Sequence, residues 1–441
     1  MSENLTNPES LSDVGKSRRN LLKLSAVGGV AMATGGLSSN AKAEGRSEIG
    51  IVKHDSFPIT VSPDYKRTSE TKTSFYRFKT RGIQYITRPD PDENKPGFTS
   101  IDYALKAGAR AAAVAMSPYA PAYEGYDLPK IFKPDAFNPS FKFKDSATAH
   151  AVIKRAARHY GADLVGITRR DLRWDYTHVR EFENIHPLED ALPFEAKTVI
   201  VLGFEVNYEA LRAAPTPLGD SAMVDGYARM GKTAYQLAAF LHHLGFHSAG
   251  VGNSFGLSIP YAIAAGLGEP TRMGLLLNHK YGPRLRLAKV YTDLDLDEYF
   301  DKPVTFGVES FCENCMHCAD NCPSNAISFD PKPSMAPPND GNDWGFSNPG
   351  VRKWYVNCDK CLQYWADSKT SCSSCVSCCP YNKPDFWHHR LIDKVNTILP
   401  GPLHSFMADM DLLHGYGKTF DETAPAVFWD DKGREYNGLG D

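Results

Sequence analysis

The sequence predicts an α/β fold, more closely an α+β sandwich, joined to a cysteine-rich module. Two observations carry that expectation. Helical and strand-like hydrophobic periods alternate between residues 146 and 292, and all ten cysteines fall between Cys312 and Cys379. At ~150 residues per domain, 441 residues allow two or three domains. The 49 Lys and Arg nearly balance 52 Asp and Glu, for a formal charge of -3, so there is no global basic field and no nucleic-acid partner is expected. Disulfides that staple a whole fold would be spread along it. Cysteines crowded into one stretch point instead to a local metal framework.

Residues 1–43 read as an export address. Ser17-Arg18-Arg19-Asn20-Leu21-Leu22-Lys23 precedes a weakly apolar, Gly/Ala-rich run from Leu24 to Leu37, and Ala41-Lys42-Ala43 has the small-x-small pattern of a processing site. The order resembles a twin-arginine signal, with Leu21 where that signal prefers Phe. The run is too short and too rich in glycine to span a bilayer core of ~30 Å.

Residues 44–145 are rich in Pro and aromatics, among them Phe75, Tyr76, Phe78, Tyr85, Tyr119, Tyr123 and Tyr126. They show no sustained period and read as an irregular cap. The core, 146–305, follows in sharper pattern: a helix over Ser146–His159, a strand over Asp163–Thr168 and a buried strand over Lys197–Val206. A long helix spans Ser221–Leu244, with Met223, Tyr227, Met230, Tyr235, Leu237, Phe240 and Leu241 as its apolar positions and Gly245 as its stop. The turn Gly252–Gly256 leads into a helix over Ile259–Ala265, and a strand over Arg284–Thr292 alternates basic and apolar residues. Residues 306–390 form the cysteine module, and 391–441 a polar, aromatic C-terminal segment without a motif.

The first cysteine run is Cys312-x2-Cys315-x2-Cys318-x3-Cys322-Pro323, the ferredoxin spacing in which three thiolates wrap one [4Fe-4S] cube and the fourth crosses to a second. A second set is present as Cys361-x10-Cys372-x2-Cys375-x3-Cys379-Pro380. Reciprocal pairing assigns Cys312, Cys315, Cys318 and Cys379 to one cluster, and Cys322, Cys361, Cys372 and Cys375 to the other. The proline after Cys379 selects it over Cys378; Cys358 and Cys378 are left over. Cys-x2-Cys pairs also build tetrahedral zinc sites. Two complete ferredoxin-type sets favour iron and sulfur.

Two clusters imply one-electron delivery to an acceptor, and neither a Cys-x-x-Cys-His haem site nor a well-placed Gly-x-Gly-x-x-Gly is found. Between the signal and the cysteines stand Gly252-Asn253-Ser254-Phe255-Gly256-Leu257-Ser258-Ile259-Pro260, Ala265-Gly266-Leu267-Gly268-Glu269, Arg272-Met273-Gly274 and Tyr281-Gly282-Pro283-Arg284-Leu285-Arg286, with Lys353-Trp354-Tyr355 and Cys379-Pro380-Tyr381-Asn382-Lys383-Pro384 downstream. Together these resemble a corrinoid-dependent respiratory reductive dehalogenase, over residues from about 145 to 390.

The resemblance implies a nitroreductase-like core that binds a cobalamin-type corrinoid, with the two-[4Fe-4S] ferredoxin-like module inserted after it. No Asp-x-His-x-x-Gly motif is present to place histidine under cobalt. Gly252, Asn253, Gly256, Gly266 and Gly268 are then the expected cofactor contacts, because glycine allows close backbone approach. The family's catalytic tyrosine, asparagine and arginine fall on Tyr227, Asn253 and Arg286. A phenol is a poor acid, and a neighbouring guanidinium that stabilises phenolate makes its proton easier to give. Asn253 offers an amide donor. On residue type alone, Tyr227 between Met223 and Met230 reads as core, Asn253 as a turn residue, and only one of Arg284 and Arg286 is expected to face the cobalt.

The implied activity is reductive removal of halide from a small organohalide such as a chlorinated ethene, in anaerobic respiration. Electrons are expected to enter at the Cys312 set. The implied partners are a respiratory electron donor and a small integral-membrane anchor protein at the outer face of the cytoplasmic membrane; a homodimer is one assembly left open. An epoxyqueuosine reductase-like enzyme and an exported two-cluster electron-transfer protein are the alternatives.

Overall fold

The computed structural model describes residues 50–84, 91–115, 141–181, 184–384, 417–419 and 421–430. The export segment, Tyr85, Tyr119, Tyr123, Tyr126 and most of 391–441 lie outside the described residues. We label the elements that position the site in chain order: α1 (Ser100–Ala115), α2 (Ser146–His159), β1 (Leu164–Arg169), β2 (Thr198–Glu205), α3 (Pro217–His243), β3 (Ser248–Val251), α4 (Ser258–Ala264), β4 (Leu285–Thr292), α5 (Val308–Asn314), α6 (His317–Asp320), α7 (Cys358–Ser368) and α8 (Ser374–Ser377).

Each long element has a local cause. The Asp145 carboxylate caps α2, accepting from the Thr148 amide at 2.6 Å, and Ala149, Ile153 and Ala157 repeat every four residues to form its buried stripe. In β2, seven successive residues from Thr198 to Phe204 are buried, as a strand covered on both faces requires. Helix α3 starts four residues before the expected Ser221. Thr216 accepts from the Gly219 amide at 3.2 Å, and Pro217 occupies the first turn, where its missing N–H costs nothing. Tyr235, expected in the apolar stripe of α3, is exposed.

The strands form one sheet in the order β1-β2-β4-β3. Every neighbouring pair is antiparallel, so the alternating helices and strands build an α+β layer rather than a parallel sheet. Val199, Val201, Leu287 and Tyr291 point to one face, with Trp174, Val251 and Tyr261. Ile200, Leu202, Phe204, Ala288 and Val290 point to the other, where Ile153 of α2 and Leu237 of α3 cover them. A third core joins the first turns of α3 to the cysteine module through Leu218, Met223, Met273, Phe306, Phe311 and Trp354.

The cap between 44 and 145 is not irregular throughout. It contains a short helix, Ser74–Thr80, and the sixteen-residue α1, which packs along α3. The segment Lys106-Ala107-Gly108-Ala109-Arg110 and the alanines after it carry too few large apolar residues to show a period, yet alanine favours helix most strongly of all residues. Near the C-terminus a helix spans Ala424–Trp429; Arg212 pairs with Asp421 at 2.8 Å, and the Trp429 indole donates to Asp102 at 2.8 Å. Among the described residues, no helix is long and apolar enough to cross a membrane.

Candidate active site

Three elements bring Tyr227, Asn253 and Arg286 together. Tyr227 lies in the middle of α3 and is half-buried; Asn253 is exposed in the turn after β3; Arg286 is the second residue of β4, opposite Phe204 of β2. The Asn253 amide donates to the Tyr227 hydroxyl at 3.3 Å. That bond uses a lone pair of the phenol oxygen and leaves the phenol's own proton directed elsewhere. The Arg286 guanidinium lies over the Tyr227 ring, 4.3 Å from its centroid, and its Nε reaches the Met223 carbonyl at 3.4 Å. It meets Tyr227 through the ring face and not through a hydrogen bond to the hydroxyl. Among the described residues no carboxylate pairs with Arg286. Gly226 makes the approach possible, since a Cβ there would stand 2.8 Å from Arg286 Cγ.

Arg284, the alternative arginine, is committed elsewhere. It is buried, donates to Glu205 Oε1 at 2.8 and 3.1 Å, and donates to the Lys383 carbonyl at 2.7 Å and Asn382 Oδ1 at 3.4 Å. It thereby fastens the chain after Cys379 to the sheet.

Residues that the sequence reading did not single out hold the Asn253 turn. Lys289 is fully buried and donates to the Gly252 carbonyl at 2.8 Å and to Ser258 Oγ at 2.7 Å. Burial pushes its ammonium down to about 7, against the nearby charges of Glu70 and Asp175. Ser254 donates to Glu70 at 3.0 Å, and burial raises that carboxyl above its ordinary range. Asp175 is buried behind the turn, accepting from Arg170 at 2.7 Å, Tyr261 at 2.6 Å and Tyr291 at 3.0 Å. Phe255, between these anchors, takes a left-handed φ of 71°.

The glycines named as cofactor contacts are placed unequally. Gly252 is half-buried beside Asn253. Gly256, Gly266 and Gly268 closely approach protein atoms: a Cβ would meet Tyr291 Oη at 2.7 Å, the Lys302 carbonyl at 2.4 Å and the Leu277 carbonyl at 2.1 Å respectively. The last two also have positive φ, 71° and 157°. Packing within the chain is thus sufficient reason for these three glycines.

The cysteines sort into two neighbourhoods. Cys318 feels Cys312, Cys379 and Cys315, whereas Cys361 feels Cys375, Cys358, Cys372 and Cys322; Cys375 lies where the two meet, feeling Cys318 as well as Cys372 and Cys322. Cys312, Cys315, Cys318 and Cys379 are buried; Cys322, Cys361, Cys372 and Cys375 are half-buried. Burial raises the thiols of Cys318, Cys361, Cys372, Cys375 and Cys379 and pushes that of Cys312 up to about 12, so ligation would have to displace their protons. Cys378 is fully buried between the sets and donates to the His317 carbonyl at 3.4 Å. Cys358 is exposed at the first turn of α7. The donor chemistry and grouping fit two thiolate-held clusters.

The family of 4Fe-4S dicluster domains matches residues 311–383. A tetrachloroethene reductive dehalogenase of Desulfitobacterium hafniense is 34% identical over 370 residues, covering 70% of this chain and 66% of the relative. One from Sulfurospirillum multivorans is 33% identical over 313 residues, covering 64% and 59%. The chain is similar to reductive dehalogenases over most of its length. It spans just under two thirds of the length of the Desulfitobacterium relative. The solved structure of the catabolic reductive dehalogenase NpRdhA superposes with a TM-score of 0.65 at 23% identity, over 85% of this chain and 50% of that one, which establishes a shared fold. A further solved reductive dehalogenase, described as B12-dependent, has the same score.

Proposed function

We propose that this protein is a corrinoid-dependent reductive dehalogenase of small organohalides, with chlorinated ethenes as the leading substrate class: R-X + 2e⁻ + H⁺ → R-H + X⁻. The observation that carries the reading is the convergence of Tyr227, Asn253 and Arg286 in a chain that also gathers two sets of four cysteines. The named relatives act on chloroethenes.

A bound corrinoid would supply the cobalt that delivers electrons to the carbon-halogen bond. The core that holds it is of the nitroreductase-like kind, with Gly252 and Asn253 as the nearest candidates to touch it. This chain's residues supply the proton and the charge. Tyr227 gives its hydroxyl proton to carbon. Arg286, with no carboxylate to neutralise it among the described residues, stabilises the phenolate left behind and attracts the departing halide. Asn253 fixes the direction of the hydroxyl, and Lys289 with Glu70 fixes Asn253.

Electrons arrive through two [4Fe-4S] clusters, one on Cys312, Cys315, Cys318 and Cys379 and one on Cys322, Cys361, Cys372 and Cys375. The half-buried second set is the better entry point for an outside donor and the buried first set the better relay, the reverse of the order expected from the sequence. Export by the twin-arginine route, attachment through a membrane anchor protein at the outer face and assembly as a homodimer complete the proposal.

Two measurements test it. Metal analysis should find roughly eight iron and one cobalt per chain. Tyr227→Phe keeps the ring beneath Arg286 but removes the transferable proton, so turnover of tetrachloroethene should fall by about 10² or more with iron and cobalt unchanged. Near wild-type turnover in a fully loaded variant would end the proton-donor assignment.

A further inference from the structure

Arg272 is a buried charge that the proposed reaction does not use. It is fully buried. Its Nε and Nη2 donate to the Cys312 carbonyl at 3.1 and 2.7 Å, and Nη1 donates to the carbonyls of Ser328 and Asp330 at 2.8 and 2.6 Å. The Trp354 ring lies 4.9 Å from the guanidinium carbon. Every acceptor is a neutral main-chain carbonyl, and among the described residues no carboxylate forms an ion pair with it. Glu269, three residues earlier and also buried, accepts instead from the Phe306 and Val308 amides, and burial raises it to about 7. A buried cation without an anion is costly, and a cation held this firmly against a cysteine main chain calls for a negative group there.

We infer that Arg272 is the counter-ion of the cluster held by Cys312, Cys315, Cys318 and Cys379, and that it raises the reduction potential of that cluster. The inference rests on the two-cluster reading above. Each electron accepted makes a thiolate-ligated cluster one unit more negative. Burial opposes that change and a fixed cation favours it. Because the Cys312 set is the buried one, it would be the harder of the two to reduce without Arg272. The other set has only neutral donors at its sulfurs among the described contacts, such as the Ala326 amide on Cys322 at 3.3 Å.

The test is a potentiometric titration followed by EPR on the full-length, iron-loaded protein, comparing wild type with Arg272→Gln and Arg272→Lys. In Arg272→Gln one cluster should become harder to reduce by about tenfold in its one-electron equilibrium, a 59 mV fall in midpoint, while the other moves much less. Arg272→Lys keeps the charge and should stay within about threefold of wild type. Unmoved midpoints in Arg272→Gln holding eight iron would overturn the inference. If Arg272→Gln fails to hold full iron, a tenfold fall in the lysine variant overturns it instead and a midpoint near wild type supports it. Wild-type protein lacking two cluster signals would refute the two-cluster reading itself, a different failure.

Discussion

The two parts of the site are held in place by different means. Tyr227 and Arg286 stand on a twenty-seven-residue helix and an eight-residue strand, with an apolar core on each face of the sheet. The cysteines stand on helices of four to eleven residues and on turns, and among the described residues the module's large apolar layer is the one it shares with α3. Packing therefore fixes the tyrosine site before any cofactor arrives. The described part of the cysteine module has little packing of its own, and its buried thiols must lose their protons to become cluster ligands. The first part should be stable as protein, and the second as a protein-metal assembly.

Removing iron is the harshest way to break that contrast. Chelation under reducing conditions should raise amide exchange across residues 308–322 and 358–380 by orders of magnitude while β2 and β4 keep their protection; equal loss in both regions would make the distinction void. Next in size is the Arg286 series. Arg286→Ala should lose most turnover with both metals retained, and Arg286→Lys should fall between it and wild type, because an ammonium keeps the charge but cannot lie flat on the Tyr227 ring. Steady-state rates on metal-matched samples check the order.

A smaller effect belongs to the scaffold. Asp301 accepts from Lys154 at 2.6 Å and from the Ile167 amide at 2.8 Å, and pairs with His150 at 3.3 Å, tying α2 to β1. Burial raises this carboxyl, but these partners outweigh burial and hold it below its ordinary value of 3.8. A lowered carboxyl contributes its stability above the unfolded pKa and loses it as pH falls through the folded one. Asp301→Asn should thus cost about 1.5–3 kcal/mol near neutrality and progressively less as pH falls below the carboxyl's ordinary value of 3.8, read by urea unfolding, with iron content unchanged. Smallest of all, Cys358→Ser should leave both EPR signals and the iron count intact, since that thiol is exposed and outside both sets. A lost cluster would mean the second set is drawn wrongly.

The legibility of these regions follows the same divide. Cysteine chemistry is written in spacing, so the sets could be named before any coordinates. Helix α2, β2 and β4 were readable within one or two residues, because Ala149-Ile153-Ala157 and the run Val199-Ile200-Val201-Leu202 show their periods directly. Helix α1 was hidden by alanine, and the start of α3 by a Thr-Pro pair that signals a cap but not a period. The tyrosine site was legible only by resemblance, since a tyrosine between methionines looks like core. Lys289, Glu70, Asp175 and Arg272 were not legible, because a buried ion and a surface ion are the same letter. In Lys289 a faint sign existed: it shares strand parity with inward-facing Leu287 and Tyr291.

Arg284 has a consequence for speed. Its guanidinium joins Glu205 on the sheet to Asn382 and Lys383, just past the last cysteine, two residues from Arg286 along the same chain. Electron tunnelling decays exponentially with the gap to be crossed, so a hinge between module and sheet would make every transfer wait for a favourable approach. Together with the apolar layer that joins the module to α3, this brace would limit that slack and hold the distance steady.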